Sequence, residues 1–280
     1  MQAGIPTNVP FESLPPQPGG AALWVRESLM AIVILIAFAS PALSESANTP
    51  IALYRAGDYE GAVAAGEAEG TGEGLAVAAR AVLADANLRE VPCLPCLQRA
   101  ERFARRSTAL DRKRPDAFVY LAASLGYQSR IVGTLRARFA RYPEQAKEAI
   151  DEALAIAAND SWSLAAAGAW HIEVVRNGGF LARPLYGARV DVGRDYFRRA
   201  IAAEPDNLVI RVQYALSLSG YDFDANREEA FAELSAAAKT APRTAYETAL
   251  KTRALRLLDL IEANSIADYL ALVNRYQGYQ

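Results

Sequence analysis

The chain has 280 residues, enough for one elongated domain or two compact ones, and 52% of them are apolar, enough for a substantial core. A formal net charge of −2 offers no bulk attraction to nucleic acid or to an anionic membrane. One His and two Cys leave too few ligands for a zinc site, which takes about four, and the chain is expected to carry neither metal nor cofactor.

Residues 1–20 are rich in Pro and Gly and lack a helical period, which predicts a disordered or mis-started leader. Arg26, the apolar run from Leu29 to Ala39 and the small-residue stretch Ser40-Pro41-Ala42-Leu43-Ser44 follow the pattern of a secretory signal peptide over residues 21–44. Cleavage near Ser44 would start the mature chain at Glu45 and place it in the periplasm or outside the cell. An uncleaved N-terminal anchor is the alternative, although the run is short for a bilayer span. No Cys follows the run, so a lipid anchor of the lipoprotein type is not expected.

From residue 45 to 280 the sequence reads as a single all-α domain. Strand signals are nearly absent; β-branched runs such as Ile131-Val132 are too short. Two stretches 47 residues apart, Ala153–Asp160 and Ala200–Asn207, each read as a helix end, a polar turn and the next helix start. In Leu53–Ala62, Gly57 suits a helix end and Asp58 an N-cap, with Tyr59 and Ala62 facing a partner helix.

This turn resembles the one inside a tetratricopeptide (TPR) repeat. The family's first-helix packing positions fall on Phe118, Leu121, Ala122 and Leu125; on Leu164, Ala167, Gly168 and His171; and on Arg211, Tyr214, Ala215 and Leu218. The post-helix proline positions are Arg112, Ala158, Pro205 and Pro242. The resemblance covers about residues 50–260 and is degenerate, because only two of those four are Pro, Arg211 replaces an apolar residue, and Thr248 and Lys251 fall at apolar positions. It implies antiparallel helix pairs stacked into a short superhelix or curved bundle, closed by a capping helix over residues 265–276. Gly168, Trp170, Glu173 and Val174 also look like the regulator-of-microtubule-dynamics relatives of that family, a likeness too short to imply an activity.

The spacings between the proline-equivalent positions are 46, 47 and 37 residues, against 34 in the family. The surplus lies in two related inserts, residues 126–143 and 176–190, where Gly133-Thr134-Leu135 aligns with Gly179-Phe180-Leu181. Both inserts are basic and contain no acid. Arg130, Arg136, Arg138 and Arg141 lie in the first; Arg176, Arg183 and Arg189 lie in the second. Stacked repeats would set these seven arginines along one rim, suited to bidentate grips on carboxylate or phosphate. Arg stems covering apolar surface, with their heads in water, is the bland alternative.

Cys93-Leu94-Pro95-Cys96 precedes a helical stretch from Leu97. In an exported protein it reads as a local disulfide between two helices; a reactive thiol pair or a metal half-site remains open. His171 lies on a helix stripe and is expected in the core, as are Trp162 and Trp170. Asp222 and Asp224 are expected to form a turn and N-cap for a helix over residues 227–239. No nucleophile–base pair or phosphate-cradling glycine loop is visible, so no enzyme activity is expected. The expected function is protein–protein interaction or scaffolding in the cell envelope. The partner would be a protein or peptide with an acidic segment; no nucleic acid is expected, and no stable membrane span after signal cleavage. Two alternatives are a thiol–disulfide role for Cys93 and Cys96 and a ligand-binding helper of a transport system, which an apolar pore beside the Arg rim would support.

Overall fold

Helix ends in this chain are written locally, in N-caps, prolines at first turns and left-handed glycines. Thr49, Asp58 and Thr71 each accept a backbone N–H with their side chains and open α1 (Pro50–Ala56), α2 (Tyr59–Glu69) and α3 (Gly72–Leu88). Gly57, at φ +90°, closes α1. An added Cβ there would come within 2.8 Å of Ala245 Cβ, so this turn also packs closely against the start of a helix far along the chain.

The computed structural model describes residues 48–279, all α-helix and connecting turns with no strand among them. The leader and signal-peptide expectations for residues 1–44 lie outside the described residues. No described helix is long and apolar enough to cross a membrane. After α3 come α4 (Leu94–Leu110), α5 (Pro115–Val132), α6 (Thr134–Phe139), α7 (Tyr142–Ile156) and α8 (Ser161–Gly178). A 3-10 turn (Gly179–Leu181) leads to α9 (Ala182–Tyr186), α10 (Val190–Ala203), α11 (Leu208–Lys239), α12 (Ala245–Glu262) and α13 (Ile266–Tyr276).

The two similar turns have matching geometry. Ala157 N–H donates to Ala153 O and Asp160 N–H to Ala157 O; 47 residues later Glu204 donates to Ala200 and Asn207 to Glu204. Asp160 then caps α8 through Ser163 N–H at 2.7 Å, and Asn207 caps α11 through Val209 and Ile210 N–H at 3.1 Å. Glu204 links the turns, accepting from Ser161 Oγ at 2.8 Å, Asn207 Nδ2 at 2.9 Å and Arg243 Nη2 at 3.2 Å. The α8–α10 crossing is close because both helices are bare where they touch. An added Cβ on Gly168 would lie 2.6 Å from Phe197 Cδ2, and one on Gly193 2.7 Å from Ile172 Cγ1. Asp222 is the expected turn residue, and its carboxylate does accept the Ala225 N–H. Backbone geometry at Asp222 is not helical, so α11 is two helices joined across a kink, the second opening at the Asp222 cap.

The first helices meet the last ones, so the chain closes on itself. Asn87, at the end of α3, is the fastening point. Its Oδ1 accepts from Tyr246 Oη at 3.1 Å and Arg253 Nη1 at 2.9 Å, its backbone carbonyl accepts from Arg253 Nη2 at 2.9 Å, and its Nδ2 donates to Tyr127 Oη at 3.2 Å. Three helices share a direction inside this ring. Asn87 late in α3 meets Tyr127 late in α5, and Arg130 late in α5 meets Glu173 late in α8.

Candidate functional site

The faces that α3, α5 and α8 turn inward interleave small residues with larger polar and aromatic ones at helical spacing. On α8 the stripe is Trp162, Ala166, Ala169, Glu173 and Asn177; on α5 it is Val119, Ala123, Gly126 and Arg130; on α3 it is Arg80, Ala84 and Asn87. Where the stripes are small, at Ala84, Ala123, Gly126, Ala166 and Ala169, the helices do not fill the space between them, and a chamber of about 640 Å³ is left. An added Cβ at Gly126 would find no atom within 4 Å. The volume falls within the usual 300–1,000 Å³ of small-molecule sites. Aromatic rings complete the wall, among them Tyr54, Tyr120, Trp162, Trp170 and Tyr246. Trp170 is buried, as expected, and its Nε1 donates to Pro143 O at 2.8 Å; Trp162 is half-buried and faces the chamber.

The inserts lie at the end where α5 and α8 stop. Within each, a glycine at positive φ ends the long helix, Gly133 at +81° after α5 and Gly179 at +53° after α8, and the short helix α6 or α9 follows. Ala137 and Ala182 anchor these helices in the interior, at 2% and 0% exposure. Leu181, Leu185 and Tyr186 of the second insert and Thr134, Ala137 and Arg138 of the first line the chamber together. Leu135, Phe139 and Phe180 point outward, at 69%, 81% and 88% exposure.

The seven insert arginines are not placed alike. Arg136, Arg138 and Arg183 are exposed and have no carboxylate partner among the described residues. Arg141, itself at positive φ, lies 3.8 Å from Glu148, and Arg189 forks onto Asp191 beside it. Arg130 and Arg176 are turned inward, with only 8% and 14% of their side chains exposed, and flank Glu173 at 3.6 and 3.8 Å. Glu173 also accepts from Gln277 Nε2 and Tyr279 Oη, both at 2.8 Å. Arg176 donates to Gln277 Oε1 and Asn274 Oδ1, both at 2.5 Å, and Arg130 to Gln277 O at 2.9 Å. These two arginines therefore clamp the C-terminal residues 274–279 against α5 and α8. The inserts carry no acid of their own, but Glu173 sits one turn ahead of the second insert, where it neutralises residues from both.

His171 is buried and outside the chamber lining. Its Nδ1 accepts the Arg189 N–H at 3.2 Å, and burial, reinforced by Lys147, pushes its pKa down to about 4. Its ring stacks on Tyr196 with centroids 5.8 Å apart. Cys93 and Cys96 form a close pair at the α3–α4 junction, with Cα atoms 5.3 Å apart, a separation that suits a disulfide. Among the described residues no group of three or more His, Cys, Asp or Glu is placed to hold a metal ion.

The sequence singled out the two basic segments but not the chamber. Its signal is present in the spacing of Ala122, Ala123 and Gly126 on α5 and of Ala165, Ala166 and Ala169 on α8, but an alanine facing a helix and an alanine facing space look the same in sequence. No protein-family model matches the chain, and no curated protein matches it.

Proposed function

We propose that this is an exported, non-catalytic helical protein of degenerate TPR type that holds a largely apolar small molecule in its central chamber. The chamber itself carries the reading: about 640 Å³ walled by small residues such as Ala84, Ala123, Gly126, Ala166 and Ala169 and by aromatic rings, in a ring that closes through Asn87. Its titratable lining groups are arginines, phenols and one carboxylate, which suit holding a ligand rather than transforming it. The sequence pattern that resembles a signal peptide places this activity in the envelope, where such a protein would serve as the ligand-binding helper of a transport system. In that compartment the Cys93–Cys96 pair acts as a structural disulfide.

The test uses Nile red, an uncharged dye whose emission reports an apolar site. The protein should bind it saturably with one-site stoichiometry. Gly126→Leu should weaken binding by at least about tenfold, because the side chain enters the chamber. The variant should remain fully folded, since nothing lies near the new Cβ and leucine favours a helix over glycine by nearly 1 kcal/mol. Equal affinity in a folded Gly126→Leu protein would refute the chamber reading.

A second reading, protein–protein interaction, draws on the mouth. Leu135, Phe139 and Phe180 are exposed beside Arg136, Arg138 and Arg183, which have no carboxylate partner among the described residues, a mixed apolar and cationic surface for a partner with an acidic segment. Retention of an envelope protein by the wild type, lost when those three arginines become Gln, would support it. Retention unchanged by the substitutions and by salt would remove the rim from consideration.

A further inference from the structure

Arg80 is a half-buried charge in the chamber wall, unlike the exposed Arg138 at the mouth, and has no carboxylate counterpart among the described residues. Arg80 projects from the middle of α3 into the lining. Its guanidinium carbon lies 4.3 Å from the centroid of the Tyr54 ring and 5.7 Å from that of Trp162. Among the described residues no carboxylate lies within ion-pair distance of it. Glu247, the acid whose charge reaches it, is bound to Arg243 through the backbone N–H and the guanidinium. Glu173 is the only carboxylate in the lining, and it is taken up by Arg130, Arg176, Gln277 and Tyr279.

A cation among aromatic faces gains from their quadrupoles, but this offsets only part of the cost of leaving water. The phenols of Tyr120 and Tyr54, both in the chamber wall, act on the Arg80 charge, and the Tyr54 hydroxyl is within hydrogen-bonding reach of the guanidinium. Burial pushes the Tyr120 phenol up to about 12 and raises that of Tyr54 against the opposing pull of Arg80. Both therefore keep their protons at neutral pH and offer O–H donors. One guanidinium fork and two phenols, with no carboxylate beside them among the described residues, form a receptor for an anion.

The rest of the chamber is apolar and long. Along α5 it runs from Val119 to Gly133, about 20 Å at the rise of a helix. Arg80 sits toward the end marked by Tyr120 and Trp162, and the insert helices lie at the other. Resting on the chamber reading above, we propose that the ligand is an amphiphile, an apolar chain with a single carboxylate or similar anionic head, and that Arg80 grips the head while the chain extends toward the insert helices.

The experiment compares dodecanoate, dodecanol and dodecyltrimethylammonium by calorimetry below their micellar concentrations. Dodecanoate should bind at least about tenfold more tightly than dodecanol, in keeping with a charge-assisted bidentate contact, and the ammonium should bind more weakly than either. Arg80→Gln should erase the advantage of dodecanoate while leaving dodecanol affinity within about twofold. Arg80→Lys should keep part of the advantage, and the Gln triple variant at Arg136, Arg138 and Arg183 should keep all of it. Equal binding of dodecanoate and dodecanol by the wild type overturns the proposal and leaves the chamber reading standing, and that comparison needs no variant. A preference that survives Arg80→Gln, or disappears in the rim variant, overturns it by placing the head elsewhere. If none of the three amphiphiles binds, the chamber reading falls together with it.

Discussion

Replacing Glu173 by Gln tests the clamp that holds the C-terminal segment. The carboxylate is 8% exposed and is the single negative charge between Arg130 and Arg176. Gln keeps the shape but turns a cluster of net charge +1 into one of +2, and it replaces one acceptor with an NH₂ aimed at groups that donate. Breaking a buried ion pair from one side typically costs about 3–5 kcal/mol, because the remaining charge is left without compensation. Two flanking arginines place this case at the upper part of that range, unless the segment detaches and lets water reach them. Urea unfolding gives the global loss, and timed carboxypeptidase digestion gives the local one. The expected result is a fall of at least about 3 kcal/mol, or faster trimming through Tyr279 with a smaller global change. Converting the whole cluster to apolar residues, Arg130→Met with Glu173→Leu and Arg176→Met, should recover most of the loss, since such replacements are often neutral. A loss below about 1 kcal/mol with unchanged C-terminal protection would mean that Glu173 does not hold the cluster together.

Two further outcomes follow from the same geometry. His171 is held neutral with its pKa at about 4, against about 6.5 when unfolded. Between those values the unfolded chain binds a proton that the folded one refuses, so stability is fully present above pH 6.5 and drops as pH falls toward 4, by up to about 3 kcal/mol. His171→Gln, which keeps an acceptor for the Arg189 N–H, should flatten that slope in urea titrations across the window, and an unchanged slope would assign it to other groups. Cys93→Ala with Cys96→Ala should cost about 2 kcal/mol, the modest effect of a short closed loop. The intact protein should give no thiol titre until reduced, and a ready titre would reopen the reactive-thiol reading.

The turns were legible in the sequence because their chemistry is local: Asp160 and Asn207 cap the helices they precede, and Gly57 ends the helix it follows. The all-α class was legible for the same reason. The ring closure was not, because Asn87 meets Tyr246, Arg253 and Tyr276 across 159 to 189 residues, and no spacing rule connects them. The basic inserts were found, yet the acid that pairs with two of their arginines stands outside them on α8, and the other partners lie in the last residues of the chain. Counting charge by segment therefore overstated how much of the rim is free; Arg136, Arg138 and Arg183 are the part without a carboxylate partner among the described residues.

The two basic segments do more than lengthen helices, and the glycines that end α5 and α8 within them carry the reason. Had the extra residues simply extended α5 and α8, the 3.6-residue period would continue through Gly133 and Gly179. Both helices stop there instead, at equivalent positions 46 residues apart, with φ/ψ of +81°/161° and +53°/−133°. Side-chain-bearing residues rarely adopt such backbone. No atom lies within 4 Å of an added Cβ at either site, so the glycines serve the backbone and not close packing. Alanine at either position should cost about 1–3 kcal/mol of local strain with no steric clash to relieve. That cost falls on α6 or α9, which cover the chamber at the insert end, before it reaches the ring fastened at Asn87. Hydrogen exchange should accordingly accelerate in α6 for Gly133→Ala and in α9 for Gly179→Ala, with α3 and α12 unchanged and ligand dissociation faster in both. Equal acceleration across all helices would mean that the glycines support the whole fold and that the inserts are not a separable mouth.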